Sequence, residues 1–115
     1  MTNKTAEYNG WTNYETWNVS LWIDNDPGLH EMINEEAKRI LEDLQGEIEN
    51  RYGEYAVGKD DKNLATGVLG DFIQNFVEEN NPLAEQNGFY TDILTMSLQE
   101  VNYREIAGYY FEEMD

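Results

Sequence analysis

The feature that most constrains the fold of this chain is a long amphipathic segment that begins at residue 26. Asp26 is a favourable N-cap, and Pro27 is a favourable first residue of a helix. Apolar residues then recur at helical spacing on one face, as in a helix that packs against a core. The members of this face are Leu29, Ile33, Ala37, Ile40, Leu41, Leu44 and Ile48. The pattern predicts a long helix, which Gly53 ends.

A shorter helix is predicted before it, within GWTNYETWNVSLWIDNDPG at residues 10–28, which holds all three tryptophans. Thr12 and Glu15 fit a capping box, and the helix should run to about Asp24. Its two apolar sides consist of Tyr14, Trp17 and Leu21, and of Val19 and Ile23. We assign the first side to the core. Trp22 lies between the two sides and is either a core residue or a contact residue.

The second half of the chain predicts further helices after an irregular loop around residues 53–62. Asn63 can cap a third helix, which the segment Asn80-Asn81-Pro82 stops. Its apolar positions are Leu64, Val68, Phe72, Ile73, Phe76 and Val77. A fourth helix at about residues 89–100 carries Phe89, Ile93, Leu94, Met96 and Leu98.

The C-terminal segment predicts a last helix, since Asn102 and Glu105 repeat the capping-box pattern. Ile106, Tyr109 and Tyr110 would pack inward from it. The sequence shows no convincing strand and no repeat. We therefore predict an all-α fold, a compact bundle of four to five helices. One domain would span residues 1–115, with residues 1–10 as a polar N-terminal arm.

The charge balance restricts the class of partner. The chain has 24 acidic and seven basic residues and a net charge of −17. Direct binding to nucleic acid or to an anionic membrane needs a basic patch, so we expect neither. The acidity favours a basic partner, such as a protein whose own surface binds DNA or RNA. The alternative is that the acidity serves solubility or adaptation to salt.

Catalytic and metal-binding patterns are weak or absent in the sequence. There is no cysteine, the single histidine is His30, and no phosphate-binding glycine loop is present. Asp24, Asp26 and Glu35 superficially resemble an EF-hand loop, but Leu29 occupies the position that needs glycine. We therefore expect no enzyme activity, no catalytic residue, no metal site and no cofactor.

The outer side of the long helix is a candidate binding surface. Glu31, Glu35, Glu42 and Glu49 lie along one line, and Asp43 lies beside it. Carboxylates held on a rigid helix can imitate the phosphates of a nucleic acid in front of a cationic groove. A solvated helix face is the alternative. Exposed aromatic residues would add apolar contacts, and the candidates are Trp22, Tyr52 and Tyr55.

Two short segments resemble a group of small proteins carried by phages and mobile elements. Residues 13–26 match its N-Y-E-T-W-x-V-x-L-W-x-x-N-D pattern, and residues 101–107, VNYREIA, match its C-terminal V-N-[YW]-R-E-I-A segment. The resemblance implies a phage-type origin. Size and charge are also similar to those of DNA-mimic inhibitors that act against restriction or CRISPR complexes.

Our leading hypothesis is a phage-type acidic inhibitor that binds the basic groove of a host nucleic-acid-binding protein, as a monomer or homodimer. No secretion signal or membrane-spanning run is evident, so the host cytoplasm is the expected location. The alternative is a structural or assembly module that forms a homo-oligomer through the aromatic first helix. Contacts through Val19, Trp22 and Ile23 would hold such an oligomer together.

Overall fold

The computed structural model describes residues 8–52 and 59–113, without the side chains of residues 48–52, 59, 60 and 113. Within these ranges the chain forms α1 (Tyr14–Asp24), α2 (Pro27–Tyr52), α3 (Lys59–Glu79), α4 (Phe89–Gln99) and α5 (Tyr103–Glu113). The β pairing in the described part of the chain is an isolated bridge between Tyr8 and Trp11. The predicted all-α bundle is therefore confirmed.

Helix α2 begins as predicted, because the carboxylate of Asp26 accepts a hydrogen bond from the backbone N–H of Leu29 at 3.1 Å. The predicted apolar face is also confirmed where it is described. Ile33, Ala37 and Ile40 are buried, while Leu29, Leu41 and Leu44 pack against the core. The side chain of Ile48 and all of Gly53 lie outside the described residues.

The start of α1 differs from the predicted capping box. Asn13 is the N-cap, and its Oδ1 accepts a hydrogen bond from the backbone N–H of Thr16 at 2.9 Å. Thr12 instead donates its backbone N–H to Oε1 of Glu105 at 3.1 Å. The prediction for Thr12 and Glu15 is wrong, because an asparagine one residue later caps the helix and Thr12 makes a tertiary contact.

The buried face of α1 also differs from the predicted one. Thr16, Ser20 and Ile23 are buried, whereas Tyr14 is 50% and Leu21 39% exposed. The assignment of the stripe Tyr14, Trp17 and Leu21 to the core is therefore wrong; Trp17 is only half-buried. The small side chains of Thr16 and Ser20 let α1 approach its neighbours, and a tertiary hydrogen bond satisfies the Thr16 hydroxyl.

Helix α3 begins four residues before the predicted cap Asn63, so residues 59–62 are helical and not part of a loop. The acidic residue Asp61 in its first turn favours this earlier start. Residues 53–58 of the predicted loop lie outside the described residues. The helix ends at Glu79, as predicted.

The core side of α3 is rotated relative to the predicted stripe. Its buried residues are Ala65, Leu69 and Ile73, with Phe72 and Val77 packed against the core. Leu64 and Val68, two of the predicted apolar positions, are 60% and 46% exposed and do not belong to the core. Small residues occupy the contact with α5: a Cβ atom on Gly70 would lie 3.3 Å from the backbone of Arg104. This close approach selects the face that is buried.

Helix α5 packs against α1, α2 and α3, and most extensively against α3. Ile106 and Tyr110 are buried as predicted, together with Tyr103, Ala107 and Phe111. Tyr109 is 41% exposed, so the prediction that it packs inward is wrong. Its ring instead lies against that of Trp11, with centroids 5.9 Å apart.

Hydrogen bonds join the start of α1 to the start of α5, a region that we call the α1–α5 junction. Asn102 Oδ1 accepts from the backbone N–H of Glu105 at 3.0 Å, which confirms Asn102 as the cap. The Glu105 carboxylate, however, binds the backbone N–H of Thr12 and not that of Asn102. The backbone N–H of Asn102 donates to Oγ1 of Thr16 at 2.8 Å. Asn13 Nδ2 also donates to the Glu100 carbonyl at 2.7 Å.

Helix α4 has the predicted bounds to within a residue but buries none of its side chains. Phe89 is 70%, Ile93 50% and Met96 62% exposed, so these three residues do not belong to the core. Leu98, in the last turn, packs against the core. The apolar spacing was thus a correct sign of a helix but not of burial. We call the exposed side formed by Phe89, Ile93 and Met96 the α4 stripe.

Candidate functional site

The predicted acidic row lies on the outer side of α2. Glu31, Glu35 and Glu42 are all exposed. At about 100° per residue they fall within about 40° of one another and roughly opposite the buried Ile33 and Ile40. Among the described residues, none of the three carboxylates takes part in a hydrogen bond or ion pair. We call these three residues the α2 row; the side chain of Glu49 lies outside the described residues.

Asp43 differs from the α2 row because Arg39 binds it. Arg39 Nη1 lies 2.9 Å from Oδ2 of Asp43, and the same guanidinium also pairs with Glu36. The Glu36 hydrogen bond and charge, followed by the charge of Asp43, raise the pKa of Arg39. Asp43 is exposed as predicted, but part of its charge is neutralised within the helix.

Exposed carboxylates are also present on the other four helices. Examples are Asp24 on α1, Asp71 and Glu79 on α3, Asp92 on α4 and Glu112 on α5. The negative potential of the described surface therefore surrounds the molecule and is not confined to α2. The α2 row is distinguished by its alignment on the longest helix, not by its charge alone.

Trp22 is the predicted aromatic anchor that the structure leaves open to solvent, with 71% of its surface exposed. It borders an apolar cavity of about 550 Å³ whose lining includes Val19, Leu29 and Val77. Ile23 is only 3% exposed, so it is not available for the predicted homo-oligomer contact. Nothing is described of the Tyr52 side chain, and Tyr55 lies outside the described residues.

The exposed side of α1 carries a second aromatic group. The ring centroid of Tyr8 lies 5.2 Å from that of Tyr14 and 4.9 Å from that of Trp17. The turn before α1, in which Tyr8 and Trp11 exchange two backbone hydrogen bonds, holds Tyr8 there. Sequence analysis assigned Tyr14 and Trp17 to the core, so this surface group was missed. The sequence shows the helical spacing of Tyr14 and Trp17, but it does not show which side of α1 faces solvent.

His30 links α2 to α5. Its Nδ1 lies 3.0 Å from the hydroxyl of the buried Tyr110 and 3.5 Å from a carboxylate oxygen of Asp24. The imidazole also lies against the Tyr110 ring, with centroids 5.2 Å apart. This half-buried position joins three helices, and its contacts are structural.

Tyr103 is an unexpected polar group in the core. It is 6% exposed, and its hydroxyl has no hydrogen-bond partner in the described part of the chain. Burial, followed by the negative charge of Glu78, raises the pKa of Tyr103 to about 12. The sequence offered no sign of this group, because a tyrosine in the first turn of an amphipathic helix is an ordinary core residue.

We expect the Tyr103→Phe variant to be up to about 1 kcal/mol more stable at neutral pH, because an unpaired buried hydroxyl is removed. In the wild type the unfolded chain loses this proton near pH 10, whereas the folded protein keeps it up to about pH 12. The stabilisation from the neutral phenol is therefore fully present below about pH 10 and is lost as the pH rises through about 12.

Denaturant unfolding of wild type and Tyr103→Phe from neutral pH to about pH 11.5 measures this difference. The wild type should lose up to about 2 kcal/mol more than the variant at the alkaline end. If both proteins lost stability in parallel, the hydroxyl of Tyr103 would not be buried as described.

Two further properties of the described residues bear on the site. No group of three or more His, Asp or Glu side chains in that part of the chain is arranged to hold a metal ion. Among the same residues, no helix is both long enough and apolar enough to cross a membrane.

The chain belongs to the family of unknown function DUF7249, whose model matches residues 4–113. No curated protein and no solved structure matches the chain significantly. The family match includes both segments that meet at the α1–α5 junction.

Proposed function

We propose that this member of the DUF7249 family is a non-enzymatic inhibitor that binds the basic nucleic-acid-binding groove of another protein. The α2 row carries the proposal: Glu31, Glu35 and Glu42 are exposed, aligned and without an ion pair among the described residues. A net charge of −17 supports it, because few basic residues are available to neutralise these carboxylates. The inhibitor would occupy the groove and exclude the nucleic acid.

The spacing of the row defines what it can imitate. At a rise of about 1.5 Å per residue, its carboxylates are separated by about 6 Å and 10 Å along the axis. One DNA strand presents a phosphate about every 3.4 Å of axis, so the row is sparser than a strand. Carboxylates on other helices, such as Asp24 and Asp71, would have to supply the remaining charge. The helix holds the row rigid, which lowers the ordering cost of binding.

Exposed aromatic residues would provide the apolar part of the interface. Charge mainly speeds association and selects the partner, whereas desolvated aromatic contacts slow dissociation. Trp22 is the strongest candidate, since 71% of its surface is exposed beside an apolar cavity. Tyr14, Trp17 and the α4 stripe are further candidates, of which Tyr14 and Trp17 had been predicted to lie in the core.

The resemblance of residues 13–26 and 101–107 to phage and mobile-element proteins supports a target in the host. Small acidic inhibitors from such elements act on proteins that bind nucleic acid, including restriction and CRISPR complexes. We therefore propose a host defence protein as the partner and the host cytoplasm as the location. Competition for a nucleic-acid groove would take place there.

The immobilised protein can be used to capture partners from a bacterial lysate at about 0.15 M salt, with identification by mass spectrometry. We expect nucleic-acid-binding proteins with basic grooves, which duplex DNA displaces and which elute as salt rises. Retained proteins that neither DNA nor salt displaces would contradict the proposed mode of binding.

A second candidate function, a homo-oligomeric assembly module, is supported by the exposed aromatic side of α1. With Ile23 buried, the contact would be formed by Trp22, Tyr14 and Leu21, which are 71%, 50% and 39% exposed. Sedimentation equilibrium at about 0.15 M salt distinguishes the two functions, because assembly requires a dimer or larger species. We expect a monomer for the inhibitor, and a dimer that Trp22→Glu dissociates would favour the assembly module.

A further inference from the structure

A cavity of about 500 Å³ lies between α3, the turn that follows it, α4 and the start of α5. The polar residues in its lining carry amides, hydroxyls and one carboxylate. These groups belong to Gln74, Glu78, Asn81, Thr95, Gln99 and Tyr103. Leu98 and Val101 add an apolar wall. The cavity is separate from the α2 row, and sequence analysis did not identify it.

Two of the lining residues, Tyr103 and Glu78, have oxygen atoms with unused hydrogen-bonding capacity. The Tyr103 hydroxyl is buried and makes no hydrogen bond to a described residue, although tyrosine hydroxyls in cores normally have partners. Glu78 is exposed, and Nε2 of Gln74 donates to its Oε2 at 2.9 Å. This bond orients the carboxylate and leaves Oε1 without a donor among the described residues.

We propose that this cavity binds a guanidinium group. Glu78 would accept two N–H bonds of the guanidinium together with its charge, and Tyr103 would accept a further N–H. Gln99 and Thr95 bring a further amide oxygen and a hydroxyl to the same lining, whereas the amide oxygen of Asn81 already accepts the backbone N–H of Leu83 at 2.8 Å. The proposal goes beyond the inhibitor function, because it does not depend on a nucleic-acid-binding partner.

The chemistry of the lining selects guanidinium over other groups. A guanidinium has five N–H donors in one plane, more than an ammonium, and can use many separate acceptors. It is more weakly hydrated than an ammonium, so it loses less on entering a cavity that is partly apolar. Its flat face can also lie against Leu98 and Val101. An anion would be repelled by Glu78 and by the net charge of −17.

The guanidinium can belong to an arginine of a polypeptide or to a small free compound, and two probes distinguish these sources. One is the blocked tripeptide acetyl-Gly-Arg-Gly-amide, and the other is methylguanidine. The corresponding citrulline tripeptide is the isosteric neutral control. Each is titrated into the isotopically labelled protein at about 0.15 M salt while backbone amide shifts are recorded by NMR. Tighter binding of the tripeptide assigns the site to a polypeptide, and equal or weaker binding assigns it to a free compound.

Two variants test whether binding takes place in the cavity. Glu78→Gln should weaken binding of the arginine tripeptide about tenfold or more, because a charge-assisted bond is lost. Tyr103→Phe should weaken it about threefold to tenfold, and this variant is expected to fold at least as stably as the wild type. The matched control is Glu79→Gln, since Glu79 is the exposed neighbour on the same helix and does not line the cavity.

The expected result is saturable binding of at least one guanidinium probe, weak or no binding of the citrulline peptide, and losses confined to Glu78→Gln and Tyr103→Phe. Shift changes should be concentrated at residues 74–81 and 95–103. If neither guanidinium probe saturates, or if Glu79→Gln weakens binding as much as Glu78→Gln, the proposal is wrong and the binding is general attraction to an acidic protein. A negative result would not contradict the proposed binding of a basic partner by the α2 row, because neither Glu78 nor Tyr103 belongs to that row.

Discussion

The free energy of unfolding of the Thr16→Val variant should be about 2–3 kcal/mol lower than that of the wild type, because one hydroxyl forms hydrogen bonds at the start of α1 and at the start of α5. Thr16 Oγ1 donates to the Asn13 cap at 2.6 Å and accepts the backbone N–H of Asn102 at 2.8 Å. Valine has nearly the same shape but no hydroxyl. The variant therefore leaves the backbone N–H of Asn102 without its partner, and because Thr16 is 0% exposed, water cannot readily replace the lost hydroxyl.

Urea unfolding followed by circular dichroism measures this loss, and two variants control for it. Thr16→Ser keeps the hydroxyl and should cost about 1 kcal/mol or less for one lost methyl group. Thr66→Val makes the same chemical change where the hydroxyl donates to the Lys62 carbonyl of its own helix at 2.7 Å. A Thr16→Val protein as stable as Thr66→Val would show that the α1–α5 junction does not depend on this bond.

If the protein binds as we propose, charge reversal of the α2 row should abolish binding to the basic partner. Replacing Glu31, Glu35 and Glu42 together with lysine changes the charge of the face by six while leaving the buried side of α2 intact. Affinity for the captured partner should fall by about a hundredfold or more, because attraction to a basic groove becomes repulsion. The dependence of affinity on salt should become shallower, since fewer counterions are released.

Two triple variants, each with three charges neutralised, distinguish the effect of charge position from the effect of total charge. Glu31→Gln, Glu35→Gln and Glu42→Gln together remove three charges from the α2 row. The matched control removes three from exposed sites outside α2, through Glu85→Gln, Asp92→Asn and Glu100→Gln. We expect the row variant to lose at least about tenfold more affinity than the control. Equal losses would mean that net charge alone attracts the partner.

The long helix α2 could be predicted from its sequence almost completely. Asp26 and Pro27 specify its start through local chemistry, and its apolar residues lie on one side only. When a helix has a single apolar face, the hydrophobic effect leaves one choice for the buried side. The exposed position of Glu31, Glu35 and Glu42 follows from the same pattern.

The buried sides of α1, α3 and α4 could not be predicted in this way. Helix α1 has apolar residues on most of its circumference, and the side that is buried carries Thr16 and Ser20. Close packing against other helices, as at Gly70, and satisfied hydrogen bonds decided which side turns inward. Close packing and tertiary hydrogen bonds depend on residues that are distant in sequence. The larger, aromatic side of α1 therefore led to a wrong prediction of its buried side.

The two motif segments, residues 13–26 and 101–107, are brought together only in the folded protein. Asn13 and Thr16 come from the first segment, and Asn102 and Glu105 come from the second. Their hydrogen bonds join residues 86 and 93 positions apart, so both segments build the α1–α5 junction. The motif residues that form these hydrogen bonds have a structural role, because they join α1 to α5.

By itself, the sequence determined the helical class, the bounds of α2 and α4, the caps at Asp26 and Asn102, and the acidic character of the surface. These properties depend on neighbours along the chain or on composition, which local chemistry controls. Tertiary structure alone decided that Trp22, Tyr14 and the α4 stripe face solvent and that Tyr103 lines a polar cavity beside Glu78. These placements result from competition among several apolar faces for one core, which only the packing of all the helices resolves.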